Sequence, residues 1–324
     1  MPRTPPPSFV LLFALLAVSI ARTQNGPASA PNLESQLKSQ IAGFHGQVSF
    51  YAHDLATGQT VAIDADRPVP TASVIKLAIL YEALEQIRSG RVHFSDRLNL
   101  HREDQVPGSG VLLMLDTPMT VTFKDALTLM IAMSDNSAAN LAMDHLGIEN
   151  IDRRLVSLGM RNTWLYKKVF LPAEGPMPAD QKQFALGKTT AREMAGLMER
   201  FSTCNLGPPA VPSAGSAIPP EIPSDKDLCS SAIHMLEVQF YRDGLPRYLE
   251  GQGKYPSISA IANKTGSLDH VRNDVGLVFT KQRAIVISEF THDNADTRWT
   301  PENEAELLIA RLAQTVVSAW APKP

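Results

Sequence analysis

The sequence predicts an α+β fold, in which an antiparallel sheet built from both ends of the chain is covered by helices and carries an inserted all-helical subdomain. Near the N-terminus, Gln47–His53 and Thr60–Asp64 alternate as the two strands of a hairpin. Near the C-terminus, Ile258–Lys264, Asp274–Thr280 and Ala284–Thr291 read as three strands joined by tight turns. Apolar residues between these groups recur at helical spacing. Strands at both ends with helices between them favour this layered arrangement.

The N-terminus has the pattern of an export signal. Arg3 gives a basic start, Phe9–Ile20 is an apolar run too short for a membrane span, and small residues occur at Ser19–Ala21. We therefore interpret residues 1–21 as a signal peptide and residues 22–32 as a tether. A secreted or periplasmic protein is expected, with no membrane segment after the signal is cleaved.

The remaining chain is long enough for a single catalytic domain at 33–324. Its sheet part is expected at 33–70 and 250–324, and its mainly helical part at 71–249. The sequence is 44% hydrophobic and carries a formal charge of −3, so it offers no electrostatic case for nucleic acid. The eight histidines are scattered, which argues against a metal hydrolase. We expect a monomer that needs no metal and no cofactor.

Helical periodicity and capping residues locate the helices. They are expected at Leu33–Phe44, from Ser73 to about Ile87, at Val121–Gly147 and Ile148–Leu158, from Thr189 or Thr190 to Phe201, at Leu228–Leu249 and from Pro301 to about Ala319. Residues 91–120 are predicted to be irregular, and Thr163–Gly187 is predicted to be a long loop.

The two cysteines, Cys204 and Cys229, lie on either side of a proline-rich segment. An exported chain meets oxidising conditions, and a metal site would want more ligands than two thiols. A disulfide between Cys204 and Cys229 is therefore predicted in preference to two free thiols.

The stretch Thr71–Leu80 holds a serine and a lysine three residues apart, Ser73 and Lys76, at the start of an apolar helix. Positions i and i+3 share a helix face, so the Lys76 amine can lie against the Ser73 hydroxyl. A serine needs an adjacent base to become a nucleophile, and a buried lysine with a lowered pKa can be that base. The same pattern at Ser35 and Lys38 lies in an amphipathic segment and is interpreted as a solvated helix face.

Two further stretches accompany Ser73. Ser134-Asp135-Asn136 interrupts an apolar helix with three polar residues, which indicates either a helix break or a polar group aimed into a cleft. Lys264-Thr265-Gly266 ends a predicted strand. There the Lys264 ammonium and Thr265 could hold a substrate carboxylate, and Gly266 would let substrate approach the backbone.

Ser-x-x-Lys, Ser-Asp-Asn and Lys-Thr-Gly in this order form the motif set of class A β-lactamases and penicillin-binding proteins. The chain resembles this serine β-lactamase and penicillin-binding family, closest to class A, over nearly all of residues 33–319. The resemblance implies a β-lactamase/transpeptidase-like fold and a small-molecule substrate, a β-lactam or a D-Ala-D-Ala-like peptide.

The resemblance also implies roles for individual residues. Ser73 is the acylated nucleophile, Lys76 its proton acceptor or relay, and Ser134 the residue that passes a proton to the leaving nitrogen. Substrate binding falls to Asn136, Lys264, Thr265, Gly266, Ser267 and Arg272. Within this set, Ser267 shares the oxyanion hole with Ser73 through backbone N–H groups.

One departure concerns hydrolysis of the acyl-enzyme. Class A enzymes carry Glu-x-x-Leu-Asn in the loop after Ser-Asp-Asn, and this chain has no such pattern. Glu174 is the loop carboxylate we assign as candidate catalytic base, with a solvated loop glutamate as the competing interpretation. The sequence predicts a serine hydrolase of the class A type.

Two alternatives stay open. The first is a penicillin-binding or D,D-peptidase-like enzyme that deacylates slowly, and the second is a non-catalytic module that binds cell-wall peptide. An α/β-hydrolase would need Gly-x-Ser-x-Gly; the segment around Ser109 lacks that spacing, so it is interpreted as an ordinary loop.

Overall fold

The computed structural model of the protein describes residues 1, 31–207, 222–250, 255 and 257–321. The predicted signal peptide beyond Met1, and residues 22–30 of the predicted tether, lie outside these ranges. Within them, no helix is long and apolar enough to cross a membrane.

The strands and helices are named in chain order. The strands are β1 (Gln47–Asp54), β2 (Thr60–Ile63), β3 (Val69–Pro70), β4 (Arg97–Leu100), β5 (Met119–Thr122), β6 (Trp164–Leu165), β7 (Gly187–Thr189), β8 (Ile258–Leu268), β9 (Val271–Thr280) and β10 (Ala284–His292). The helices are α1 (Pro31–Ile41), α2 (Lys76–Arg88), α3 (Phe123–Ala132), α4 (Asn136–Leu146), α5 (Ile148–Ser157), α6 (Gln181–Phe184), α7 (Ala191–Thr203), α8 (Asp225–Glu237) and α9 (Glu304–Trp320).

The main sheet has the strand order β2-β1-β10-β9-β8, and every neighbouring pair is antiparallel. The N-terminal hairpin joins the C-terminal strands through β1 and β10, in a register that sets Gln47 opposite His292. The predicted α+β fold, with one sheet made from both chain ends, is therefore confirmed.

Helices cover both faces of this sheet. On one face α1 and α9 bury side chains such as Leu37, Ile309 and Val316 against Phe50 and Ile287. On the other face the buried residues of α2, α3, α4, α7 and α8 form a second, larger apolar cluster with the sheet. The candidate active site lies where the helical part meets the edge strand β8.

A continuous helix over Val121–Gly147 is wrong, because two helices occupy this segment; the helix break that the polar triplet indicated as one of two interpretations is present. Thr122 caps α3 by accepting the backbone N–H of Asp125, and Asp135 caps α4 by accepting that of Ala138. Between the two helices Ser134 adopts the left-handed region, with φ of 53°. A polar residue in that conformation ends one helix and lets a second begin.

Three other predicted segments also differ from the structure. Residues 91–120, predicted to be irregular, contain β4 and the first residues of β5, which pair with each other. Helix α8 begins at Asp225 and ends at Glu237, before the predicted end at Leu249. The long loop contains β6, α6 and the start of β7.

A disulfide joins Cys204, which follows α7, to Cys229 in α8, with a Cα–Cα distance of 5.6 Å. The two cysteines are separated by 25 positions in the sequence. The pairing predicted from the sequence is thus present, and it links two helices of the helical part.

Candidate active site

Ser73 lies in a short 3-10 turn, Ala72–Ile75, directly before α2. The neighbouring Val74 and Ile75 are fully buried and anchor this turn in the core, while Ser73 is only half-buried. Ser73 therefore precedes the helix instead of belonging to its first turn, and Lys76 is the first residue of α2.

Lys76 is completely buried beneath Ser73. Its Nζ lies 2.6 Å from the Ser134 carbonyl oxygen, 2.8 Å from Asn136 Oδ1 and 3.3 Å from Ser134 Oγ. Among the described residues none of its hydrogen bonds reaches Ser73 Oγ, so the contact expected between the two side chains is not made here. Burial, followed by the charge of Lys264, holds the pKa of Lys76 well below that of an ordinary lysine. A lowered pKa favours the neutral amine that could accept a proton.

The turn formed by Ser134, Asp135 and Asn136 is held by the segment before it in sequence. Asp135 Oδ2 accepts the backbone N–H groups of Val111 and Leu112, at 2.7 and 2.9 Å. Asn136 donates from Nδ2 to the Pro107 carbonyl at 2.9 Å. A methyl group built on Gly110 would lie 2.3 Å from the Asp135 carboxyl, so only glycine fits there. The polar triplet is therefore a buried, hydrogen-bonded turn at the helix break.

Lys264 reaches the same turn from the opposite side. Its Nζ donates to Ser134 Oγ at 3.0 Å and to the Thr265 carbonyl at 2.7 Å, and the side chain is fully buried in β8. Burial lowers the pKa of Lys264 to about 7, against the opposing charge of Asp274. The Ser134 hydroxyl thus lies between two lysines whose ammonium forms are both destabilised by burial.

Gly266 brings strand β8 against the turn that carries Ser73. A methyl group built on Gly266 would lie 2.9 Å from the backbone nitrogen of Ser73 and 2.7 Å from the Thr71 carbonyl oxygen. No side chain fits in that space, which gives a local reason for the glycine. The close approach sets the backbone of Ser267, the next residue, beside that of Ser73.

Arg272 lies opposite Ser267 in the β8–β9 register. Its guanidinium donates to the carbonyls of Leu268, Val271 and Arg298, and Nε lies 3.6 Å from Glu306 Oε1. These partners occupy most of its N–H groups. Arg272 therefore has a structural role, and its role as a carboxylate receptor stays a prediction.

Ser73, Ser134 and Thr265 open onto one cavity of about 270 Å³. Gly266, Ser267 and Arg272 line the same cavity, and Ser109 lies at its edge. Lys76, Lys264 and Asn136 lie behind this wall, joined to it through Ser134. The structure therefore brings together all the predicted site residues except Glu174.

Glu174 points away from this site. Its side chain is exposed and lines a different cavity, of about 360 Å³, with Asp152 and Lys167. The loop is fixed upstream of it, where Asn140 makes two hydrogen bonds with the Val169 backbone, at 2.8 and 3.1 Å.

Phe170 is the loop residue that reaches the site. It has φ of 57° and a side chain 61% exposed. A methyl group built on Gly108 would lie 3.0 Å from the Phe170 ring and 2.7 Å from Asn136 Nδ2. The loop thus presents an aromatic ring, and not a carboxylate, beside Asn136.

Sequence reasoning missed several residues around the cavity. Asn273 donates to the carbonyls of Pro70 and Thr71, which ties the sheet to the strand before Ser73. Tyr241, Asp243, Trp299 and Glu306 form the far wall. These residues come from separate segments without a shared pattern, so no local signal pointed to them.

Comparison with known proteins agrees with this geometry. The family model described as the β-lactamase enzyme family matches residues 32–214 and 220–320. The β-lactamase regulatory protein BlaB of Streptomyces cacaoi is 25% identical over 297 residues, which cover 82% of this chain and 90% of that protein.

Solved structures show the same fold. The crystal structure of a β-lactamase from Sphaerobacter thermophilus DSM 20745 has a TM-score of 0.72 and 25% identity, covering 88% of this chain and 96% of the other. A mutant of PBP-A, solved as an acyl-enzyme complex with penicillin G, has a TM-score of 0.70 at 20% identity and covers 89% of this chain and 96% of its own.

The α+β fold is that of β-lactamase/transpeptidase-like proteins. The chain belongs to the β-lactamase enzyme family.

Proposed function

We propose that this protein is a serine acyl-enzyme that opens β-lactam rings on Ser73 and hydrolyses the resulting ester slowly. The observation that carries the proposal is the hydrogen-bonded chain from Lys76 through Ser134 to Lys264, directly behind the cavity that Ser73 lines. Two buried lysines joined by one hydroxyl form a path for protons, which a purely structural site would not require.

In the acylation step, Lys76 as a neutral amine takes the proton of Ser73 Oγ. Oγ bonds to the lactam carbonyl carbon, and the ring C–N bond breaks. Ser134 donates its hydroxyl proton to the freed nitrogen and regains one from the Lys76 ammonium. Nothing leaves the protein, because the nitrogen remains attached to the opened ring.

Binding of the substrate uses the edge of β8. The Lys264 ammonium and the Thr265 hydroxyl receive the substrate carboxylate. The backbone N–H groups of Ser73 and Ser267 hold the developing oxyanion, and the close approach at Gly266 supports this pairing. Aimed backbone donors are usually the largest single term in such reactions.

The deacylation step needs a water molecule and a base within hydrogen-bond reach of the ester. Glu174, the base suggested by the sequence, is exposed and lines another cavity. The loop residue beside Asn136 is the aromatic Phe170. Losing a positioned general base costs about 10² to 10⁴ in rate, so we expect the acyl-enzyme to accumulate. This favours the penicillin-binding alternative over an efficient β-lactamase.

A second candidate is suggested by the relative named a regulatory protein. A long-lived acyl-enzyme could report the presence of a β-lactam instead of destroying it. Both candidates share acylation of Ser73 and differ only in the fate and use of the acyl-enzyme. The non-catalytic alternative predicts binding, or stable acylation, without turnover.

The experiment is intact-protein mass spectrometry after exposure to benzylpenicillin, followed over time. We expect a gain equal to the whole penicillin mass, abolished in Ser73→Ala and retained in Ser35→Ala, the control for the second Ser-x-x-Lys copy. Label on Ser73→Ala would contradict the proposal. A label that vanishes as fast as it forms would identify an efficient β-lactamase.

We also propose that the protein is exported and acts as a monomer. The Cys204–Cys229 disulfide supports export, because such bonds persist in oxidising compartments. N-terminal sequencing of secreted protein, expected to begin close after residue 21, tests the proposed signal peptide.

A further inference from the structure

The catalytic cavity is lined by residues that have no assigned part in the chemistry at Ser73. Its far wall is made of Tyr241, Asp243, Trp299 and Glu306. Trp299 follows the main sheet in sequence, and its side chain is 64% exposed. This half of the cavity is therefore open to a part of the substrate other than the lactam ring.

Trp299 is exposed and yet fixed in place. Its indole Nε1 donates to Asp269 Oδ1 at 3.2 Å, and the Arg272 guanidinium lies 4.5 Å from the ring centroid. Arg272 is itself held by the carbonyls of Val271 and Arg298, each at 2.8 Å. A ring already immobilised loses little conformational entropy when a ligand stacks on it.

The position of Trp299 indicates which part of a substrate it meets. Asp269 lies in the turn between β8 and β9, and Arg272 pairs with Ser267 across these strands. Trp299 is therefore at the end of the cleft where the substrate carboxylate is received. In a cephalosporin the ring carbon next to the carboxylate-bearing carbon carries a variable substituent, while the acyl side chain is on the opposite side of the lactam. With the carboxylate held by Lys264 and Thr265 as proposed, that substituent would lie at the Trp299 end of the cavity.

The charges on this wall favour a cation. Glu306 Oε1 lies 3.6 Å from Arg272 Nε, so the charges of these two side chains compensate each other. Asp243 is exposed, and in the part of the chain that the structure describes it has neither a hydrogen bond nor an ion pair. Burial raises the pKa of Glu306 to about 7, so at pH 8 its carboxylate is mostly charged. A planar cation gains both from an aromatic face and from nearby carboxylates.

We infer that Trp299 and Asp243 form a subsite for a flat, cationic substituent next to the substrate carboxylate. The inference rests on the proposed function and specifies which β-lactams acylate Ser73 fastest. A cationic ring is preferred to a neutral group, and a neutral group to an anionic one.

The test compares two cephalosporins with the same acyl side chain, one carrying a pyridiniummethyl group and the other an acetoxymethyl group beside the carboxylate. Acylation rate constants are measured at pH 8 by competition with a fluorescent penicillin. The selectivity is the ratio of the two constants, and comparing this ratio between variants cancels the intrinsic reactivities of the compounds.

We expect Trp299→Ala to lower the selectivity about fivefold to tenfold, and Asp243→Asn to lower it about threefold, consistent with cation–π and charge contributions at partly exposed sites. Phe240→Ala is the matched control, because Phe240 is a similarly exposed aromatic residue, at 69%, that does not line the cavity; the selectivity of this variant should equal that of the parent. Both tested side chains are exposed, so the variants should fold, and circular dichroism verifies this.

The outcomes separate the two proposals. If benzylpenicillin acylates the parent but Trp299→Ala keeps the parent selectivity, the subsite is overturned and the proposed function stands. If benzylpenicillin does not acylate the parent, both are overturned.

Discussion

The two segments that border Ser73 differ in how firmly they are held. The Ser134–Asn136 turn is buried and bonded to Lys76, Lys264 and the segment 107–112. The loop from Thr163 to Gly187 is fixed near its ends, by Asn140 at Val169 and by Asp180, which accepts hydrogen bonds from Tyr166 and Lys188. Between these points, residues 174–179 are exposed.

This difference between the turn and the loop corresponds to the two steps of the proposed reaction, acylation and deacylation. Buried hydrogen bonds are concentrated around the groups needed for acylation, where misplacement by 1 Å can cost about 10²-fold in rate. The loop, where class A enzymes carry the deacylating glutamate, instead brings Phe170 to the site. The residues needed for acylation are held firmly, whereas the loop places no carboxylate at the site. We therefore expect a long-lived ester on Ser73.

The largest expected effect comes from breaking the turn. Asp135→Ala removes the acceptor of three backbone N–H groups, those of Val111, Leu112 and Ala138. Hydrogen bonds to charged groups contribute about 1.5–3 kcal/mol each, so we expect a loss of at least about 3 kcal/mol in the free energy of unfolding. The acylation rate should fall about 100-fold. Urea unfolding and penicillin labelling measure the two effects.

The control is Asp125→Ala, at the start of α3. Asp125 is also a helix-capping carboxylate, but it is exposed, and among the residues that the structure describes its carboxylate bonds only to Thr122. The Asp125→Ala substitution should lower the free energy of unfolding by about 1 kcal/mol and leave the acylation rate unchanged. Equal effects of the two substitutions would mean that the turn is no more than an ordinary helix cap.

The next effect is on pH dependence. Lys76 must lose its proton to accept that of Ser73, so acylation rises with pH as the Lys76 ammonium titrates, and burial moves this rise well below the range of an ordinary lysine. Lys264 must keep its proton to hold the carboxylate, and its pKa is about 7. The second-order acylation rate of the free protein should therefore fall as pH rises above 7. In Lys264→Arg, which stays charged, the fall should disappear; a decline identical to that of the parent would rule out Lys264 as its cause.

The smallest expected effect lies in the loop. Glu174→Gln should change the deacylation rate less than twofold, roughly the scatter expected for an exposed substitution, because the side chain faces a different cavity. Glu149→Gln, on the wall of that same cavity, is the control. A trapped acyl-enzyme in Glu174→Gln alone would show that the loop turns inward during the reaction and that Glu174 is the base.

Local patterns in the sequence were sufficient to predict the strands of the main sheet and the polar residues Ser134 and Lys264 of the candidate site. Alternation identified the strands at both ends, and polar triplets in apolar surroundings identified Ser134 and Lys264. These signals are local, because a strand alternates residue by residue and a buried polar residue contrasts with its neighbours.

Other features depend on residues distant in sequence. The helix break at Ser134 is stabilised by Val111 and Leu112, which bond to Asp135. The exposed position of Glu174 depends on where Asn140 fixes the loop. The far wall joins Asp243 to Trp299, which no periodicity connects. Such tertiary contacts override local preference, and no local pattern encodes them.

The pairing of β1 with β10 has a consequence for biosynthesis. Ser73 is synthesised early and Lys264 late, and the sheet that aligns them closes only when the last strands arrive. If the chain is exported unfolded and N-terminus first, as proposed above, the serine that crosses the membrane is chemically ordinary. The proposed reactivity towards β-lactams would then begin only on the far side, once the whole chain has emerged and folded.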